Sequence, residues 1–220
     1  MKLLLLALLS HSNLAFAEPL TNKGAALKQY LVNEQVEEKW LPGKYVDWKT
    51  GATINPTKEE IQKQHLISSS HCSAFVAAVA LQFAVPFLNQ DNAGPDQVYY
   101  LSNHQNEWLN SSAGVAAGWK ATTLAQAEGL ADQGELVIAS FKEVAPKKAG
   151  HIAIVVPDDS LTNDRLAQVG PTIIQAGGRS PKVPAGNSAH TDTVSGFYFH
   201  THGKLDGIQF FYHDVNLVSK

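Results

Sequence analysis

At Gly134 the character of this chain changes, and that change limits the folds open to it. Upstream, apolar residues recur at helical spacing. Leu27, Tyr30, Leu31, Gln35 and Val36 share one face of a helix expected over 25–40, which Leu41-Pro42-Gly43 would end. Thr57-Lys58-Glu59-Glu60 is a capping-box pattern and starts a short helix. Residues 72–85 form an alanine-rich apolar run, read as a buried helix stopped by Pro86. Gly94-Pro95-Asp96 opens another helical stretch through Leu109. Thr122 or Thr123 caps a further helix that closes near Gly134.

Downstream the apolar runs shorten to strand length, at 135–141, 151–156, 171–176, 194–200 and 207–212. Helices first and strands after predict an α+β domain with a mostly antiparallel sheet of five or six strands. A Gly/Pro/Ser/Asn-rich loop is expected between Arg179 and Thr193. No linker or repeat divides the chain, so one domain is expected over 18–220.

The first residues read as an address rather than as part of that domain. Met1-Lys2 is followed by an unbroken apolar run from Leu3 to Leu9 and then by Ala15-Phe16-Ala17, an A-x-A cleavage pattern. The run is too short for a membrane span, which needs about 20 residues. Residues 1–17 are therefore expected to be a signal peptide, cleaved near Ala17, with the mature chain exported to the periplasm or the extracellular space. No later stretch is apolar enough to span a bilayer. A net charge of −3 gives no reason to expect a nucleic-acid partner.

Export raises the interest of Cys72, the single cysteine. A lone thiol in an exported chain is either a packed small hydrophobe or a reactive group. Cys72 falls at the expected N-terminus of a buried helix, where backbone N–H groups and the helix dipole favour a thiolate and can also stabilise an oxyanion. A thiolate nucleophile needs a base, and the base needs an orienting group. His151 begins an apolar strand directly after Gly150, and Gln175 is a polar residue in the next strand. Adjacent antiparallel strands would set the two side by side.

These residues carry a resemblance. HCSAFV at 71–76, GHIAIVV at 150–156 and IIQAGG at 173–178 resemble, in order, the cysteine, histidine and third-residue blocks of the NlpC-type papain-like cell-wall peptidases. The CHAP amidases share that plan. The resemblance implies a papain-like fold and cleavage of amide bonds in bacterial peptidoglycan. It implies Cys72 as nucleophile, His151 as base and Gln175 as orienter, with neither metal nor cofactor. Asn187, in the loop, is the rival for the third role.

His71 stands where the family usually has aspartate and Ala74 where it has glycine, and Tyr45 is the nearest counterpart of the family's upstream tyrosine. The chain is expected to act as a monomer on peptidoglycan stem peptides. It would either remodel its producer's wall or attack rivals as an antibacterial effector, the latter implying an immunity protein as partner. The alternatives are a non-catalytic cell-wall binding module on the same scaffold, and an acyltransferase or deamidase of the same fold.

Other features have blander readings. His200, His202 and nearby His213 suggest a metal site only weakly, because no matched carboxylate or cysteine set accompanies them. His65 and His71 flank the cysteine and are expected to cap the surface. Trp40, Trp48, Trp108 and Trp119 are expected in the core rather than along a substrate groove. Lys147-Lys148 reads as a solvated turn.

Overall fold

In the computed structural model the described residues are 19–40, 44–63, 67–68, 71–94, 101–145, 148–176, 190–193 and 205–217. The expected signal peptide, the expected strand at 194–200, Pro95-Asp96 at the expected helix start after Gly94, and most of the loop between Arg179 and Thr193 lie outside them.

The central element is α4 (His71–Gln82). From Cys72 to Ala80 every residue is buried and all but Ser73 are apolar, as expected of a stretch of helix with no solvent face. The helix closes through Ala84, which takes a left-handed φ of 54°, while the N–H groups of Ala84 and Val85 bond to the carbonyls of Leu81 and Ala80. Pro86 then prevents continuation.

The helix expected over 25–40 is two. α1 (Asn22–Asn33) starts on a Thr21 cap and ends before Gln35, whose φ is 49°. α2 (Val36–Lys39) follows at a new angle. The left-handed residue lets Val36 and Trp40 turn into the core, and periodicity alone cannot register such a break. The capping box is present as expected. Thr57 Oγ1 accepts from Glu60 N–H at 3.3 Å, and Glu60 accepts from Thr57 N–H at 2.7 Å, at the start of α3 (Lys58–Lys63). Before α4 a small sheet has the order β2 (Thr53–Ile54), β1 (Tyr45–Asp47), β3 (Ile67–Ser68).

α5 (Leu101–Leu109) and α6 (Ser112–Ala116) follow, then β4 (Lys120–Thr122) and α7 (Leu124–Asp132). α7 begins after Thr123, as expected, and ends before Gly134, which needs its φ of 89° where the turn presses on Lys23. The remaining elements are β5 (Leu136–Phe141), β6 (His151–Val155), α8 (Asn163–Val169), β7 (Thr172–Gln175), β8 (His190–Thr193) and β9 (Gln209–His213). The main sheet runs β4-β9-β5-β6-β7-β8, and every pairing is antiparallel. The architecture is thus α+β, with helices on both faces of the sheet.

Alternation along the strands separates two cores. Ile138, Ile152, Ile154 and Ile174 join Phe75 and Val79 of α4 in one cluster. Val137, Ala139, Ala153, Val155 and Ile173 meet Ala127 and Ala131 of α7 in the other. No described helix is long and apolar enough to cross a membrane.

Candidate active site

His151 is the first residue of β6 and Gln175 the last of β7, so antiparallel pairing brings both to one rim of the sheet. The register sets Ile154 opposite Ile174 and Val155 opposite Ile173, which leaves Gln175 opposite Ala153. His151 and Gln175 are therefore diagonal neighbours across the two strands. Two long side chains span a diagonal easily. The His151 ring Nε2 lies 2.6 Å from Gln175 Oε1, and the residues are 3% and 2% exposed. With the amide oxygen facing the ring, Nε2 is the donor in this hydrogen bond. A neutral amide orients the imidazole without supplying a counter-charge.

Cys72 is the second residue of α4 and is 5% exposed. α5 brings its turn to the same rim. Gln105 donates from Nε2 to Ser73 O at 3.0 Å and to Leu88 O at 2.9 Å. Two residues earlier, Asn103 Oδ1 accepts from Gly150 N–H at 2.8 Å. The residue after Cys72 and the residue before His151 are thus tied to one short helix. By alternation the His151–Gln175 pair belongs to the α7 face, whereas Cys72 belongs to the α4 face. α4 packs against β6, the strand that His151 begins.

Tyr45 stands one residue beyond the Val46–Ser68 pair, on the strand beside the approach to α4. Asn187, His65, His200, His202 and Lys147 lie outside the described residues, and for His71 only its place as the first residue of α4 is described. Both ring nitrogens of His213 face backbone carbonyls, Nδ1 that of Asp214 at 2.5 Å and Nε2 that of Ala117 at 3.0 Å. Ala117 is the C-cap of α6, so His213 closes a helix end. Among the described residues no group of three or more His, Cys, Asp or Glu is placed to hold a metal. Trp40, Trp48 and Trp119 are buried and Trp108 packs edge-on against Phe87, which makes all four structural.

The residues that sequence reasoning missed are Asn103 and Gln105. The run SNHQNEW offered a signal, since a helix with three amides and few apolar residues must spend those amides on something. Asn106, for example, donates to Ser140 Oγ at 2.9 Å and Gln209 Oε1 at 3.0 Å.

No protein-family model matches this chain, and no curated protein matches it either.

Proposed function

We propose that the protein is an exported thiol hydrolase of papain-like plan that cleaves amide bonds of bacterial peptidoglycan, in the manner of the NlpC-type peptidases and CHAP amidases. The observation that carries this reading is the buried 2.6 Å hydrogen bond between His151 Nε2 and Gln175 Oε1, at the rim where the Cys72 helix begins. A buried imidazole held in one orientation by a neighbouring strand is the arrangement a thiol's base requires.

In this reading the Cys72 thiolate attacks the amide carbonyl and a C–S bond forms. The C–N bond then breaks, and the leaving amine takes its proton from the His151 imidazolium. Water, deprotonated by His151, adds to the thioester and splits the C–S bond, which restores the thiolate–imidazolium pair. Gln175 holds the ring throughout.

The test is digestion of purified sacculi by the wild type and by Cys72→Ala, with fragments identified by mass spectrometry. Products from the wild type alone support the hydrolase. The same products from both, or none from either, refute it.

One observation favours a second reading, a non-catalytic wall-binding module. Cys72 is buried in the same apolar cluster as Phe75 and Ile152, where a thiol serves as a small hydrophobe. Iodoacetamide separates the two. A catalytic Cys72 is alkylated below pH 7 in the native protein and more slowly in His151→Ala, whereas a packed thiol reacts only after unfolding.

A further inference from the structure

The geometry points to Asn103 as the positioning residue for His151, holding the β5–β6 connection from a different element. Its Oδ1 accepts from Glu143 N–H at 3.0 Å and from Gly150 N–H at 2.8 Å, and its Nδ2 donates to Lys148 O at 3.0 Å. These partners fix the orientation of the amide, because its oxygen faces two donors and its nitrogen a carbonyl. Glu143 lies two residues beyond Phe141, which pairs with His151, and Gly150 directly precedes it. One side chain therefore joins both ends of the connection at the point where the histidine strand begins.

Gly150 belongs to the same device. A Cβ there would collide with Phe141 O and Asn103 Oδ1, so the glycine is what lets the amide approach. Among its described residues the connection has little apolar anchorage of its own, since Val144 is 87% exposed and Lys142, Lys148 and Ala149 are exposed as well. Glu107, also on α5, reaches Lys142 at 2.8 Å, but that ion pair is half-exposed and screened by solvent.

Gln105 gives the arrangement a second purpose. Residues two apart on a helix point in nearly opposite directions. Asn103 reaches the histidine connection and Gln105 reaches Ser73, so α5 acts as a spacer between the two halves of the site. The inference rests on Cys72 and His151 being the reacting pair. Under that reading, loss of the Asn103 bonds displaces the imidazole while leaving substrate contacts intact.

The test compares full-length wild type, Asn103→Ala and Asn103→Asp, with folding checked by circular dichroism. Asn103→Asp keeps the acceptor for Glu143 and Gly150. On peptidoglycan fragments Asn103→Ala is expected to lower kcat about 10- to 100-fold with KM within about twofold, and Asn103→Asp, which gives up only the donor to Lys148 O, to recover part of that loss. The second readout does not need turnover: the 15N signals of the His151 ring should report one ring environment in the wild type and averaging between several in Asn103→Ala. Unchanged ring signals in folded Asn103→Ala, or Asn103→Asp as impaired as Asn103→Ala, would overturn the inference. A wild type that releases no fragments refutes the hydrolase reading instead, and the ring signals then decide the positioning role alone.

Discussion

The two ends of the β6–β7 pair bury polar groups in opposite ways. At one rim His151 and Gln175 are buried and matched, ring nitrogen to amide oxygen. At the other, beyond Val155 and before Thr172, three carboxylates gather: Glu128 and Asp132 of α7, and Asp158. Asp132 accepts from Asp158 N–H at 2.9 Å, and Asp158 accepts from Thr172 Oγ1 at 2.7 Å. Glu128 is 5% exposed, and neither of its oxygens has a hydrogen-bond partner. Burial pushes its pKa up to about 9, with Asp132 and Asp158 adding to the rise, and burial lifts Asp132 to about 6. The matched end has a defined geometry, which is what chemistry needs. The crowded end stores a stability cost that depends on pH.

Substitutions at each end should separate these roles. Cys72→Ala should have the largest effect, lowering turnover by about a thousandfold or more with folding intact, measured on purified muropeptides. A residual rate near wild type would break the assignment. Gln175→Ala comes next, with kcat down about 10- to 100-fold, and should exceed the effect of Asn187→Ala. The reverse ranking would move the third role to Asn187.

At the opposite end Glu128→Gln should leave turnover unchanged and alter stability only. The folded pKa of Glu128 is raised, so its stabilising neutral form is complete below about pH 4.5 and lost as pH rises through about 9. The amide cannot ionise, so the variant should gain about 1–3 kcal/mol at pH 9, a few degrees in melting temperature, and little at pH 4.5. A pH-independent difference would show that Glu128 is not the titrating group. Smallest of all, His213→Ala should cost about 1 kcal/mol through the C-terminus of α6, with no change in turnover. Thermal melts and rates on the same preparation check both parts.

How far this was legible varied with the kind of signal. The Thr57–Glu60 box, the apolar run of α4 and the short runs that became β5, β6 and β7 are local patterns, and the structure shows each where it was expected. Elements with little apolar content escaped notice. β4 has no buried residue, α8 buries only Leu166, and β8, with the sequence HTDT, falls within the span expected as loop. The break at Gln35 was hidden because a left-handed residue leaves the hydrophobic period on either side unchanged.

The order of residues determined that a thiol would begin a buried helix, that an imidazole would begin a strand and that an amide would lie in the next one. Those are local facts, set by apolar spacing and by Gly and Pro punctuation. The tertiary structure decided the rest. Strand register made the His151–Gln175 contact diagonal, alternation assigned it to the α7 face, and Asn103 and Gln105 of α5 drew the Cys72 turn and the His151 strand to one rim. Hydrogen bonds between residues 32 and 47 positions apart leave no periodic trace in a chain, because they are selected by how the elements pack.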